Sequence, residues 1–519
     1  MLNIVDRFLA SARRAPDSPA LSFAEGDISY GELLEQAGRI ARALESASGA
    51  ETAAIWGDKS LPAYAGVLGA LLAGKTFVPL NPRFPLERTQ AMLRASGADT
   101  VIASAASLPA VMRAAENTHA ATLICPDLAS GSGEYSLTVL GRDSLPPGSG
   151  ETCGPERCSP NMYVMFTSGS TGKPKGVPVL HANVAPYLDA LAGFHGLSAQ
   201  DRCSQLFDLT FDLSVHDLFV TWQAGACLCV PKAEERIFPS RYIQRAGLTA
   251  WFSVPSLLLS MARLKQLGPQ AFPGIRLSLF CGEGLPDALA RRWADAAPNA
   301  VIENLYGPTE CTIAISRHPW TPDAGAAGCV NGLVPMGRPF AGQHFSVRDD
   351  SGAALPPNHK GELWLSGSQL TPGYLGQPEQ TAKAFVEEGG RRWYKTGDLV
   401  LEDENGTLHF IERVDHQVKI RGYRVELMEI ENHLAGLPGV HGAVVSPVRD
   451  ADGVCLHLHV FILGSADPGE VLHTCRARFP DYMVPARVEA VAEFPLNANG
   501  KTDRPKLEQK ARTAYENPR

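Results

Sequence analysis

The chain has 519 residues, 45% of them hydrophobic and 20% charged, with a formal net charge of -8. Acids and bases are interspersed, which argues against a nucleic-acid partner or a membrane-surface protein. Such a length can bury large cores and predicts roughly two to four domains.

The N-terminus, Met1-Leu2-Asn3-Ile4-Val5-Asp6-Arg7-Phe8-Leu9, carries Asp6 and Arg7 among apolar residues and reads as the start of an amphipathic helix, not a secretion signal. The longest low-polarity stretch, Ala63 to Ala73, ends at Gly74-Lys75 and is too short to span a bilayer. Eleven cysteines are scattered through apolar segments. Cys153 and Cys158 lie close together, but no second Cys or His pair completes a zinc site. The odd count in a long mixed chain points to reduced thiols and a cytoplasmic home.

Up to about residue 150, short apolar runs alternate with helical patterns. Thr52–Trp56, Thr76–Leu80, Thr100–Ile102 and Thr122–Ile124 read as buried strands, and Leu61–Ala73 as one of the helices between them. That alternation predicts an α/β fold with a mainly parallel sheet. The Pro/Gly/Ser-rich stretch Ser144–Pro160 reads as a surface loop.

Met162–Phe166 then forms an expected strand leading into Thr167-Ser168-Gly169-Ser170-Thr171-Gly172-Lys173-Pro174-Lys175-Gly176. This loop holds four hydroxyls, three glycines and two lysines. Glycines let backbone N–H groups turn toward an anion, and hydroxyls and lysines add donors and charge, so the loop is equipped to cradle phosphate. It lacks the glycine spacing of the ordinary NTPase loop, and by composition alone a plain linker reads the same way.

Further along, Phe207–Asp217 places Asp212 between large apolar residues. That segment reads as an exposed alternating strand, as a helix start, or as a buried carboxylate suited to an ammonium group. Leu277–Phe280 runs as a strand into Cys281-Gly282-Glu283-Gly284, and Asn304-Leu305-Tyr306-Gly307-Pro308-Thr309-Glu310 sets an amide, a ring and a carboxylate at a turn. Tyr394–Asp398 precedes an alternating run from Phe410 to Glu426 with a hairpin-like pattern, whose bland meaning is a solvated sheet face. About the last hundred residues shift to a small α+β pattern, with Leu456–Leu463 as a strand. They end on Asn499-Gly500-Lys501, by composition a polar turn.

Taken in order, Thr167–Gly176, Tyr306–Glu310, Tyr394–Asp398, Arg413–Glu426 and Asn499–Lys501 resemble the motifs of the adenylate-forming superfamily: acyl-CoA synthetases, firefly-type luciferases and amino-acid adenylation domains. The resemblance implies a large multi-subdomain N-terminal adenylation domain over residues 1–414, α/β with a β-barrel portion, and a small mobile α+β C-terminal domain over 415–519 hinged at Asp415. It implies ATP and Mg²⁺, with Thr167, Ser168, Gly169, Thr171 and Lys175 on the phosphates and Glu310, beside Thr309, on the metal. Asn304 is expected on adenine, Tyr306 stacked on its face beside Gly307, and Asp398 and Arg413 on the ribose. Gly282 and Glu283 are expected near the nucleotide. Lys501 would bridge carboxylate and α-phosphate, and Gly422 would line the tunnel for a phosphopantetheine thiol.

Asp212 resembles the aspartate with which amino-acid adenylation domains hold the substrate ammonium. A buried acid there would cost a ligase without an amine substrate several kcal/mol, on the order of 2–7. The residues matching the family's side-chain pocket are Leu213, His216, Phe252, Leu279, Cys281, Leu305, Ile313 and Ala314. Most are apolar and medium to large, which implies a small apolar amino acid. No Gly-x-Asp-Ser carrier site appears near the C-terminus, so the expectation is a stand-alone ligase that loads a separate carrier protein. L-proline is the expected substrate, stacked on Phe252 opposite Leu305 with Leu213 and Leu279 as the floor. A D-alanine or L-alanine ligase is the alternative. An inward-pointing His216 would shorten the pocket and favour alanine or glycine. An acyl-CoA ligase is argued against by Asp212, and a catalytically dead binding protein by Lys501, Asp398 and Glu310.

Overall fold

The computed structural model describes residues 3–47, 49–129, 137–148, 150–152, 157–169, 174–323, 328–415, 417–450, 453–497 and 502–516. Two of the expected site residues, Thr171 and Lys501, lie outside the described residues, as do Cys153, Asn499 and Gly500. The fold is mixed α/β, with a large N-terminal and a small C-terminal part. It divides into two compact units. The first is Met1–Pro82, Thr89–Phe166 and Gly176–Glu412; the second is Arg83–Arg88, Thr167–Lys175 and Arg413–Arg519.

The first unit contains a seven-stranded sheet in the order Thr138–Gly141, Thr122–Cys125, Thr100–Ile102, Thr52–Trp56, Thr76–Leu80, Asn161–Thr167, Lys175–Leu180. The strands expected at the start of the chain are all here, paired in parallel with Ala54 opposite Val101 and Thr76–Leu80 in register with Thr52–Trp56. Between two of these strands runs the helix Leu61–Leu72, opened by the Ser60 hydroxyl, which accepts from the Ala63 N–H at 3.4 Å, and by Pro62 in the first turn. It packs on the helix Tyr30–Ala47 at Gly69. A Cβ there would come within 2.8 Å of Ile40 Cγ2 and 2.9 Å of the Ala37 carbonyl, so only glycine permits the approach.

A nine-stranded sheet follows the order Arg338–Pro339, Ser316–Trp320, Val301–Tyr306, Leu277–Phe280, Ala250–Ser253, Arg202–Ser204, Cys227–Cys229, Pro19–Ser22, Asp27–Ser29. Its six inner strands, Val301–Tyr306 to Pro19–Ser22, are parallel, and its edges are antiparallel. The antiparallel part of the unit is a five-stranded sheet in which Gln343–Arg348, Lys360–Gly367, Arg391–Glu402 and Phe385–Glu388 pair in order and Leu408–Arg413 pairs Arg391–Glu402.

The second unit holds the hairpin Gln417–Ile420 with Tyr423–Glu426. Its turn residues Arg421 and Gly422 both have positive φ, 51° and 82°, the backbone that a tight two-residue hairpin requires. A three-stranded sheet, Val440–Arg449, Cys455–Gly464 and Arg487–Ala490, packs Val445, Val460 and Ile462 against Ile430 and Leu434 of the helix Leu427–Ala435. Among the described residues the cysteines are free thiols, and no helix is long and apolar enough to cross a membrane.

Candidate active site

Open parallel sheets bind ligands in the crevice at the carboxyl ends of their strands, where loops and helix starts converge. In the nine-stranded sheet those ends carry the expected motifs. Cys281-Gly282-Glu283 follows Leu277–Phe280, Gly307–Glu310 follows Val301–Tyr306, and the segment to Asp212 follows Arg202–Ser204.

The register decides which side chains share a face. Phe252 lies opposite Leu279, and Leu279 opposite Glu303, so these three point the same way. Alternation then puts Leu305 on that face, and Asn304 and Tyr306 on the other. One strand therefore faces two ways: Leu305 joins the apolar cluster that holds Phe252 and Leu279, while Asn304 and Tyr306 turn to the opposite side.

On the apolar side, Leu213, His216, Phe252, Leu279, Cys281, Leu305, Ile313 and Ala314 are all buried. Asp212 is 3% exposed and stands at the N-cap of the helix Leu213–Ala224, without capping it through its side chain. The exposed-strand alternative is thereby excluded. Two buried tyrosines that the motifs did not flag stand near it. Burial is the main reason the Tyr163 and Tyr187 phenols are held neutral. The Asp212 charge raises both further, after the Cys281 thiol in the case of Tyr187. The Tyr163 hydroxyl has no hydrogen-bond partner among the described residues. The Tyr187 hydroxyl lies 2.7 Å from His216 Nδ1, and the His216 and Phe252 ring centroids are 4.3 Å apart. Phe207 meets Phe252 edge-on at 4.9 Å. Burial, with nearby His195, lowers the His216 pKa well below its usual value and keeps the ring neutral.

The wall at Ile313 and Ala314 is strained. Thr312 and Ile313 both have positive φ, 58° and 70°, which costs of order 1–3 kcal/mol per residue unless the surroundings enforce it. Two contacts do. A Cβ on Gly307 would sit 2.5 Å from the Ala314 Cα, so the glycine lets the turn fold back on its strand. The buried Gln369 carboxamide donates to the carbonyls of Thr312 at 3.2 Å and Ala314 at 2.7 Å, while the Thr312 hydroxyl donates to the Gln369 carbonyl at 2.6 Å. Gln369 lies outside every recognisable motif, and nothing in the sequence marks it.

On the polar side, Asn304 donates to the carbonyl of Pro335 at 2.9 Å and, more weakly, to that of Val334 at 3.3 Å. Its buried Oδ1 accepts from no described residue. The Tyr306 hydroxyl donates to the Asp398 carboxylate, which joins two of the expected nucleotide residues directly. Glu310, in the short 3₁₀ turn Thr309–Cys311, is 1% exposed and accepts from the Tyr374 hydroxyl at 2.8 Å. Glu283 accepts from the Ser256 N–H at 2.9 Å, next to Gly282 with φ 93°.

The remaining expected residues belong to the second unit. Thr167 ends its strand and Lys175 starts the next. The Ser168 hydroxyl donates to the Arg424 carbonyl at 2.7 Å, and the Gly169 N–H to Glu429 Oε2 at 3.2 Å. Glu429, another residue the motifs did not reveal, is also ion-paired with buried Arg88 at 2.9 Å. The Gly169 N–H thus faces a carboxylate oxygen. Arg413 donates to both Asp415 oxygens, at 2.7 and 2.8 Å, and to Gln417.

A profile of the AMP-binding enzyme family matches residues 8–375, and one of the AMP-binding enzyme C-terminal domain matches residues 429–501. Phenyloxazoline synthase MbtB of Mycobacterium tuberculosis is 33% identical over 513 residues, which cover 96% of this chain and 34% of the synthase. Tyrocidine synthase 3 of Brevibacillus parabrevis is 33% identical over 522 residues, 97% of this chain and 8% of that protein. The chain thus spans about a third or less of these two relatives. The crystal structure of the Vibrio cholerae adenylation domain AlmE in complex with glycyl-adenosine-5′-phosphate matches with a TM-score of 0.89 at 31% identity, covering 99% of this chain and 98% of that one. The crystal structure of IdnL7 matches with a TM-score of 0.74 at 36% identity, covering 99% of both chains.

Proposed function

The chain belongs to the AMP-binding, adenylate-forming enzyme family, and on that premise we propose that it activates a small amino acid as its aminoacyl-adenylate and passes it as a thioester to the phosphopantetheine of a carrier protein. In the first step a substrate carboxylate oxygen attacks the α-phosphorus of ATP, and the bond to pyrophosphate breaks. In the second, a thiol sulfur attacks the acyl carbon and AMP leaves. Both steps depend on positioning and charge stabilisation more than on covalent chemistry from the protein.

The polar side of the site fits a nucleotide. The buried Asn304 Oδ1, which accepts from no described residue, is suited to the exocyclic amine of adenine. Tyr306 would stack on the base while its hydroxyl holds Asp398 toward the ribose, with Arg413 as a second ribose contact. Thr167, Ser168, Gly169, Thr171 and Lys175 would take the phosphates. Glu310 fits Mg²⁺, which binds through one or two carboxylates together with substrate phosphates. The metal would neutralise phosphate charge. Lys501 is assigned to the α-phosphate and substrate carboxylate.

The observation that carries the amino-acid reading is the buried Asp212 carboxylate, next in sequence to Leu213 of the apolar cluster. It would hold the ammonium group through a charge-assisted hydrogen bond, which a carboxylic acid lacking an amine cannot offer. The neutral His216 ring over Phe252 leaves the Phe252 face little room for a pyrrolidine, and this supports glycine or alanine over proline. The glycyl-adenylate complex of AlmE supports the same size class. The test is ATP–pyrophosphate exchange with glycine, L-alanine, D-alanine and L-proline at equal subsaturating concentration. Glycine or an alanine should lead, by about tenfold over proline. Proline in first place would return the assignment to the pyrrolidine substrate, and exchange with none of them would overturn the amino-acid reading.

A further inference from the structure

Tyr187 lies in the helix His181–His195 and His216 in the helix Leu213–Ala224, so their contact ties two helices together beside the pocket. Tyr187 is fully buried, and its hydroxyl lies 2.7 Å from His216 Nδ1. A neutral phenol carries one proton, and most buried hydroxyls give theirs to an acceptor within reach. Among the described residues His216 Nδ1 is the acceptor it reaches; with Tyr187 as the donor, the imidazole proton lies on Nε2. The bond fixes both the tautomer and the ring plane of His216. In that orientation the ring leans against Phe252, with the centroids 4.3 Å apart and an interplanar angle of 54°.

We propose that Tyr187 is the positioning residue that sets substrate size: its hydroxyl holds His216 across the face of Phe252, so that the pocket accepts a side chain no larger than a methyl group. This rests on the reading of the site as one for a small amino acid. Without the hydroxyl, His216 can rotate to another staggered rotamer and release the volume beside Phe252. A Tyr–His pair that merely fills the core would act differently, because phenylalanine at 187 preserves nearly all of the packing.

The experiment compares wild type, Tyr187→Phe and His216→Ala in ATP–pyrophosphate exchange with glycine, L-alanine, L-proline and L-valine, with melting temperatures measured alongside. Tyr187→Phe should raise the kcat/KM ratio of proline or valine to glycine by roughly tenfold, the value of one or two methylenes in an apolar pocket, and leave the KM for ATP unchanged. His216→Ala, which empties the slot from the other side, should shift the same ratio further. A wild type that favours glycine or alanine while both variants keep that preference overturns the role of Tyr187 alone. A wild type with no amino-acid-dependent exchange removes the reading beneath it, and this proposal with it. A lower melting temperature with an unchanged substrate ratio identifies the pair as packing only and also overturns the proposal.

Discussion

Replacing Asp212 with alanine removes a buried carboxylate and leaves the helix Leu213–Ala224 intact, because the side chain does not cap it. Truncating one partner of a buried charge pair costs roughly 2–5 kcal/mol. The amino-acid KM should therefore rise about thirtyfold or more, with kcat falling as well if the ammonium also orients the carboxylate. The residues proposed for adenine, Asn304 and Tyr306, point to the other face of the sheet, so the KM for ATP should be nearly unchanged. Initial-rate kinetics with both substrates checks this, and a normal amino-acid KM would make Asp212 structural. The sequence pointed to this residue because an acid among large apolar side chains is costly to bury. It gave no hint of Tyr163 or Tyr187, whose rings in apolar segments look like ordinary core.

At the scale of the element, the helix Val5–Arg14 is anchored where the Ile4 N–H donates to His181 Nδ1 at 3.2 Å. Burial lowers the His181 pKa from 6.5 to about 4, so the folded state holds the ring neutral as the anchor requires. The unfolded chain binds a proton through this interval and the native state does not. The stability His181 confers is therefore complete above pH 6.5 and is lost as pH falls toward about 4. The loss should reach about 3 kcal/mol at the acid end. Urea denaturation midpoints at stepped pH should show wild type falling more steeply than His181→Asn, whose amide oxygen still accepts the Ile4 N–H. Parallel curves would assign the acid sensitivity to other groups. Most elements could be read in the chain: the strands near 52–56, 76–80 and 100–102 are runs of apolar and β-branched residues bounded by polar breaks. The strained turn at Thr312 and Ile313 could not, since two non-glycine residues with positive φ contradict local propensity and persist because Gly307 and Gln369 enforce them.

For the molecule as a whole, the division between units falls at Glu412 and Arg413, close to Asp415. The family resemblance implies a hinge at Asp415, whose carboxylate accepts two hydrogen bonds from Arg413, the residue proposed as a ribose contact. On the proposed reading, one site would first exclude water for adenylation and then admit a thiol, which would call for two arrangements of the same chain. Proline at 415 restricts φ and the conformation of the preceding Val414. Asp415→Pro should therefore separate the half-reactions, with pyrophosphate exchange and carrier loading changing by at least about tenfold relative to each other. Equal loss of both, at an unchanged melting temperature, would count against the hinge.

The order of motifs from Thr167 to Lys501, the alternation of strand and helix and the cost of burying Asp212 were all contained in the sequence, because each rests on short-range pattern or on the chemistry of a single side chain. Tertiary structure alone decided what surrounds them. Tyr187 reaches His216 across 29 positions, Gln369 reaches Thr312 across 57, and Glu429 reaches Gly169 across 260. Such contacts follow from sheet register and helix packing, which spacing along a chain does not encode. The surroundings of Phe252 are therefore a property of the folded protein: what its ring meets depends on where the Tyr187 contact leaves a single imidazole ring.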